Sequence, residues 1–292
     1  MEVVNETLAT KMGGSDGDPM ASQGVVCSYG AYGVYVVVLL FQFINWIIKS
    51  VGPPKSLRDD EWKWRNLFIS WIHALVCIIW IFVSVARNPE MMLDLQYFKN
   101  YSIFFLIMFS TGYFLYDFLD LALNGKMLAM WEVQLHHVAV GGIFYYNLVC
   151  CEWLSFNIIA LSVEVNSFFL HSRKLLQMIN WSYQSRFYRL VKFLNISTFV
   201  VFRGIPLVAI SWAMVNWYHR VTLTYYLSLG GSMFVMVTMN PILFMRLLRS
   251  DYLRKGSSPS SRKSDKSSLC KTGLNGNNNH IESNGVNHLK SS

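Results

Sequence analysis

Residues 102–122 read SIFFLIMFSTGYFLYDFLDLA, residues 130–149 read MWEVQLHHVAVGGIFYYNLV and residues 153–172 read WLSFNIIALSVEVNSFFLHS. Each stretch is mostly apolar over about 20 residues, the length that a helix needs to cross the hydrocarbon core of a bilayer. The connections between the stretches are short, so each helix must return antiparallel beside the previous one. The three stretches therefore predict a group of adjacent, antiparallel transmembrane helices.

Ionisable residues lie inside these apolar stretches, among them Asp117, His136, His137 and Glu164. An ionisable side chain at the centre of a membrane helix costs about 2.5–3.5 kcal/mol on insertion scales, so each one is a candidate functional residue. The first turn between the helices brings Asp117 to the depth of His136, and the second brings His137 to the depth of Glu164. We therefore predict one polar layer inside the bundle.

Composition extends this prediction to the whole chain. Hydrophobic residues make up 53% of the sequence and charged residues only 14%, whereas soluble domains carry about 25% charged residues. We therefore predict an all-α fold, a polytopic bundle of about seven transmembrane helices, with six as the alternative. The predicted spans are residues 29–48, 66–86, 102–122, 130–149, 153–172, 196–217 and 222–245.

The distribution of lysine and arginine predicts the orientation in the membrane. Basic residues are concentrated in the connections after the first and fifth spans and directly after the last span. Because basic connections remain in the cytosol, the N-terminus is predicted to lie outside and the C-terminus inside. The sequon Asn5-Glu6-Thr7 then places a predicted glycosylation site, Asn5, on the outer tail.

The sequence divides into four regions. Residues 1–28 form a predicted extracellular tail, residues 29–61 the first helix with a basic cytosolic loop, residues 62–248 the main membrane domain, and residues 249–292 a C-terminal tail. This tail is rich in Ser, Lys, Asn and Gly, so it is predicted to be disordered. The chain's net charge of +8 predicts that the basic residues of the tail attract anionic lipid of the inner leaflet. Nothing beyond charge indicates a nucleic-acid partner.

Two more ionisable residues, His73 in the second span and Arg203 in the sixth, lie at about the depth of the other four. Two interpretations are open. The six residues bind the polar part of a lipid, or they form a hydrogen-bonded network that only orients the helices. For Arg203 we predict a salt bridge to Glu164 or Asp117, because pairing neutralises a buried charge. For His73 we predict a packed ring hydrogen-bonded to a neighbour.

The adjacent histidines permit catalysis, and the candidate catalytic residues are His136, His137, Asp117 and Glu164. Histidine can act as a general base, and a carboxylate on the neighbouring helix can orient its ring. The two histidine side chains point about 100° apart on a helix. They are therefore poorly placed to hold one metal ion, and no metal site is predicted.

Cysteines, glycines and prolines are assigned structural roles. The five cysteines show no metal-ligand spacing and are predicted to be small packing residues. Gly112, Gly141-Gly142 and Gly230-Gly231 are predicted to allow close packing or flexibility, and Pro206 and Asn240-Pro241 to kink their helices.

Several motifs resemble the TLC domain, a membrane family that includes the ceramide synthases. The resemblance covers about residues 62–248 and is closest to the small TLC domain-containing proteins. The motifs are Tyr116-Asp117, Trp131-Glu132, His136-His137, the run LSVEVNS at residues 161–167, Trp62-Lys63-Trp64-Arg65-Asn66 and Phe202-Arg203.

The resemblance implies two functions. Ceramide synthases use a histidine pair to transfer an acyl chain from acyl-CoA to a sphingoid amine, and their motif carries two acids where this chain has Glu164 and Ser167. The small TLC domain-containing proteins instead shape phospholipid composition at the plasma membrane. They limit the incorporation of polyunsaturated acyl chains into phospholipids and so lower membrane fluidity.

We take the second function as the leading hypothesis, with membrane phospholipid or fatty acyl chains as partners and no cofactor. One alternative is an acyl-CoA-dependent lipid N- or O-acyltransferase, for which acyl-CoA would be required. Another is a non-enzymatic regulator of a channel or membrane enzyme, acting through membrane-protein partners. Whether the protein is an enzyme is left open, and the endoplasmic reticulum is the alternative location.

Overall fold

The computed structural model describes residues 19–93, 95, 98 and 100–250, and the regular structure of these residues is entirely helical. The chain forms two compact units, Met1–Phe244 and Met245–Ser292, and the predicted polar layer lies in the first. Asn5 and most of the predicted tail, residues 251–292, lie outside the described residues. The helices are α1 (Pro19–Val51), α2 (Glu61–Arg87), α3 (Tyr101–Leu123), α4 (Trp131–Cys150), α5 (Leu154–Leu161), α6 (Glu164–Met178), α7 (Arg186–Phe199), α8 (Ile205–Asn216) and α9 (Leu223–Leu248).

Six helical stretches of the described chain are long and apolar enough to cross a membrane, by length and composition. The pairs α5–α6 and α7–α8 each count as one stretch. The remaining helix, α4, has 20 residues, which corresponds to about 30 Å and so to the thickness of the hydrocarbon core. Glu132, His136 and His137 make its first half more polar than the other spans. The prediction of an all-α polytopic bundle is confirmed.

The largest buried core lies where α1, α2, α3 and α4 meet. Phe41 of α1 is fully buried there. Its ring centroid lies 6.2 Å from that of His73 in α2, 5.2 Å from that of Tyr113 and 5.7 Å from that of Tyr116, both in α3. Aromatic pairs at such separations pack favourably. The polar layer is therefore embedded in an aromatic core on the side of α1.

Gly112 permits the close approach of α1 and α3. A Cβ atom at this position would lie 2.5 Å from the Cβ and Cγ1 atoms of Val37 and 3.0 Å from the backbone oxygen of Val34. The predicted close-packing role is confirmed for this glycine. By contrast, a Cβ atom at Gly142 or Gly231 would meet no atom within 4 Å.

Three irregular points in the helices lie beside one another. After a short turn α6 begins at Glu164, a π-helical turn (Val200–Gly204) joins α7 to α8, and Pro241 lies inside α9. Arg203, in the π-helical turn, contacts Asn240 next to the proline. Such interruptions change the direction of side chains and are frequent at functional sites.

The cysteines differ in their covalent state. Cys77 is free and buried in α2, as expected for a packing residue, and Cys150 is free and exposed at the end of α4. Cys151, however, forms a disulfide bond. The prediction that all five cysteines are packing residues is therefore wrong. Disulfide formation depends on which cysteines meet in space, and their spacing in one sequence does not show this.

Candidate functional site

Asp117 is the centre of a polar cluster between α2, α3 and α4. Its side chain is 2% exposed and accepts a hydrogen bond of 2.7 Å from the Asn66 amide. Its other carboxylate oxygen lies 2.9 Å from Nδ1 of His137. One turn further along α3, Asp120 accepts a hydrogen bond of 3.0 Å from the indole nitrogen of Trp62. The Asp117 carboxylate thus lies within ion-pair distance of the His137 ring, but the contact lacks hydrogen-bond geometry.

Glu164 and His73 form a second pair of a carboxylate and an imidazole. Oε2 of Glu164 lies 3.8 Å from Nδ1 of His73. The His73 ring stacks on Tyr113 with a centroid separation of 3.8 Å, and its Nε2 lies 3.2 Å from Sγ of Cys77. His73 is therefore a packed histidine with a hydrogen-bonding neighbour, as predicted. Its ring lies beside the Glu164 carboxylate.

Arg203 is held by neutral side chains. Its Nε donates a hydrogen bond of 2.7 Å to Oδ1 of Asn166, and its Nη1 donates one of 3.1 Å to Oδ1 of Asn240. Its Nη2 donates a third, of 3.3 Å, to Oγ of Ser167. These bonds connect the π-helical turn to α6 and α9. They fix the guanidinium without neutralising its charge.

The predicted salt bridge from Arg203 to Glu164 or Asp117 is wrong. No carboxylate oxygen in the described part of the chain lies within 4.0 Å of the guanidinium nitrogens. The carboxylate of Asp117 lies beside His137 instead, and that of Glu164 lies beside His73. Side-chain amides and a hydroxyl take the place that we expected a carboxylate to fill.

His136 and His137 face different neighbours, as adjacent residues on a helix must. Their ring centroids are 5.6 Å apart. While His137 faces Asp117, Nδ1 of His136 lies 3.1 Å from the sulfur atom of Met236 in α9. His136 therefore lies between α4 and α9, on a face of α4 about 100° around the helix from His137.

A polar cavity with a volume of ≈ 170 Å³ lies beside the two histidines. We call it the polar chamber. It is enclosed by α4, α6, the π-helical turn and α9. Its hydrogen-bonding and ionisable side chains come from Glu132, His136, His137, Glu164, Ser167, His171, Lys174, Arg203 and Asn240.

A second cavity, with a volume of ≈ 70 Å³, adjoins the first. We call it the apolar chamber, because most of its wall is aliphatic or aromatic, including Phe114, Val140, Phe144, Ile210 and Leu229. Five residues line both chambers: His136, Glu164, Arg203, Met236 and Asn240. The two chambers thus form one amphipathic site, with ionisable groups where they meet.

The structure brings the six predicted lipid-binding residues together in two groups, one that lines the chambers and one that does not. His136, His137, Glu164 and Arg203 line a chamber. His73 and Asp117 do not line either chamber, but each lies next to a residue that does. Asp117 contacts His137, and His73 faces Glu164.

Sequence reasoning missed the neutral residues that hold the charged ones. Asn66 donates to Asp117, while Asn166 and Asn240 accept from Arg203. A search for ionisable groups in apolar spans passes over asparagine. Asn66 and Asn166 lie within the motifs that resemble the TLC domain, but no role was assigned to them, and Asn240 was interpreted only as the residue before Pro241 in a kink.

Fold and site define a polytopic helical membrane protein with an amphipathic cavity inside its bundle. The chain belongs to the TLC domain family, whose domain matches residues 63–249. This family is linked in general to membrane lipid homeostasis. The resemblance read from the sequence motifs is confirmed.

Individual relatives are similar over most of the chain. TLC domain-containing protein 2 of Danio rerio is 36% identical over 217 residues, covering 73% of this chain and 87% of the relative. TLC domain-containing protein 1 of Homo sapiens is 30% identical over the same coverage. TLC domain-containing protein 2 of Homo sapiens is 29% identical over 224 residues, 76% of this chain and 84% of the relative. No solved structure matches the chain.

Proposed function

We propose that this protein regulates the phospholipid composition of the plasma membrane and thereby its fluidity. In this proposal it limits the incorporation of polyunsaturated acyl chains into phospholipids. It acts by taking up the polar end of a lipid in the polar chamber and an acyl chain in the apolar chamber.

The observation that carries the proposal is the wall shared by the two chambers. His136, Glu164 and Arg203 lie at the boundary between a polar and an apolar cavity. An amphiphile needs these two environments side by side, because its head requires hydrogen bonds and its tail requires apolar contact. A network that only orients helices would not require a cavity. Membership of the TLC domain family, which is linked in general to membrane lipid homeostasis, supports the assignment to lipid handling.

Phospholipid acyl-chain profiling tests the proposal. Cells that lack the protein and are fed a polyunsaturated fatty acid should show a raised polyunsaturated share in their phospholipids. Wild-type protein should restore the original share, whereas His136→Ala/His137→Ala should leave it raised, because the variant removes both imidazoles from the polar chamber. Lipid mass spectrometry at equal expression provides the measurement.

The control variant is His219→Ala, which removes an exposed histidine outside both chambers. It should rescue as well as wild type. Equal rescue by the double histidine variant would assign the pair a structural role and shift attention to protein partners. Acyl-CoA-dependent product formation by the purified protein would instead indicate an acyltransferase.

We infer an orientation with the N-terminus outside the cell and the C-terminus in the cytosol. The basic connections support it through the positive-inside rule. The disulfide at Cys151 adds support. In this orientation the connection between α4 and α5, which contains Cys151, lies outside the cell, and disulfides persist in oxidising compartments such as the cell exterior.

Glycosylation and tag accessibility test the orientation. In an Asn100→Gln background, which removes the second sequon on the same predicted outer side (Asn100-Tyr101-Ser102), Asn5→Gln should abolish a glycosidase-sensitive mobility shift of the full-length protein, because only a luminal or extracellular sequon is modified. A C-terminal tag should be stained at the plasma membrane only after permeabilisation. Staining of that tag in intact cells would reverse the orientation, and retention inside the cell would favour the endoplasmic reticulum.

A further inference from the structure

Arg203 carries a charge that no carboxylate in the described part of the chain approaches within 4.0 Å, and Glu164 attracts it only from beyond that distance. Its guanidinium lines both chambers, yet its three hydrogen bonds go to two amide oxygens and one hydroxyl. A charge inside a membrane bundle is costly unless an opposite charge or strong dipoles compensate it. The neutral partners orient this guanidinium and leave its charge available.

The neighbouring carboxylates are already engaged elsewhere. Asp117 lies 2.9 Å from His137, and Glu164 lies 3.8 Å from His73. Glu164 lines the polar chamber, but its carboxylate does not come within 4.0 Å of the Arg203 guanidinium nitrogens. Lys174, exposed on α6, adds a second cation to the same chamber.

The donors of Arg203 also remain incompletely used. A guanidinium carries five N–H groups in a planar fork, and the three bonds within the protein use one on each nitrogen. The two terminal nitrogens therefore keep one donor each. A carboxylate or a phosphate can accept from both in a bidentate manner.

We propose that the two chambers bind an acyl lipid with an anionic head, a carboxylate or a phosphate monoester, and that Arg203 binds this head. The part of the acyl chain next to the head enters the apolar chamber, which begins at the same guanidinium. This inference rests on the proposed function, because it names the chemical class of lipid that the site takes. Neutral lipids lack the charge that Arg203 requires and bind more weakly.

The test replaces a neutral partner of Arg203 with a carboxylate. Asn240→Asp keeps nearly the same shape and keeps an oxygen 3.1 Å from Nη1, but it supplies the counter-ion internally. We expect the affinity of the purified full-length protein in detergent for radiolabelled oleate and for 1-oleoyl lysophosphatidate to fall at least tenfold. Affinity for the uncharged 1-oleoyl glycerol should be unchanged. Asn240→Asp gains an ion pair with Arg203 but loses the hydrogen bond of 2.9 Å that the Asn240 amide donates to the Met236 carbonyl, so its melting temperature should stay near that of wild type.

A matched control makes the same chemical change away from the site. Asn216→Asp, at the exposed end of α8, should leave all three affinities unchanged. Arg203→Gln should remove the preference for charged over uncharged lipid. Preference for oleate or for lysophosphatidate identifies the head as carboxylate or phosphate, and either result supports the proposal.

Two results would overturn the assignment. One is equal affinity of the wild type for oleate and 1-oleoyl glycerol. The other is inorganic phosphate binding as tightly as the lysophosphatidate, which would indicate an anion site without a lipid. The binding assay is independent of the cellular profile, so an unchanged acyl-chain profile with intact anion selectivity would reject only the proposed function.

Discussion

Replacing Asp117 with alanine should lower the melting temperature of the purified protein by about 10 °C. The variant leaves the Asn66 amide without its acceptor and the His137 ring without its carboxylate. Leaving a buried polar group without its partner costs about 1–3 kcal/mol, the variant affects two such groups, and in a domain of this size each kcal/mol corresponds to about 2–4 °C. Thermal unfolding in detergent, monitored by tryptophan fluorescence, provides the measurement.

Two further variants locate the cause of this loss. Asp117→Asn keeps an oxygen that can accept the Asn66 bond, so its melting temperature should fall less than that of the alanine variant. Glu152→Ala removes an exposed carboxylate and should have little effect. If Asp117→Ala behaves like Glu152→Ala, the cluster contributes no more than ordinary interhelical hydrogen bonds, which are worth about 0.6 kcal/mol each.

The polar layer could be predicted from sequence because hydrocarbon makes ionisable residues conspicuous. Short connections fix neighbouring helices as antiparallel, so the approximate depths of Asp117, His136, His137 and Glu164 follow from counting residues. The rotation of each helix about its axis does not follow in this way. Counting placed Asp117 level with His136, whereas the structure places it beside His137.

The environment of Arg203 was beyond prediction for a different reason. Its partners Asn166 and Asn240 are each 37 residues away in sequence. Neither is charged, so no rule of charge pairing points to them. The π-helical turn that carries Arg203 also departs from the regular period on which sequence reasoning relies. Local irregularity and long-range neutral contacts together define this part of the site.

Gly112→Ala should lower the stability of the bundle by about 1–3 kcal/mol, the usual cost of overpacking. Alanine would place its Cβ atom 2.5 Å from the Cβ atom of Val37, and a Cβ atom cannot move away by changing rotamer. The backbone oxygen of Val34, at 3.0 Å, blocks the other direction. We therefore expect α1 and α3 to separate, which thermal unfolding in detergent would register as a lower melting temperature.

Gly142→Ala provides a control with the opposite expected sign. No atom lies within 4 Å of its added methyl group, and alanine favours a helix over glycine by about 0.5–1 kcal/mol, so this variant should be slightly more stable. In a Val37→Gly background, Gly112→Ala should lower the stability less than it does in wild type, because the clashing Cβ and Cγ1 atoms of Val37 are absent. A stabilising effect of Gly112→Ala alone would show that α1 and α3 are not in close contact at this point. Both substitutions gain the same helix propensity. The opposite changes in stability expected at Gly112 and Gly142 therefore follow from the space around each glycine.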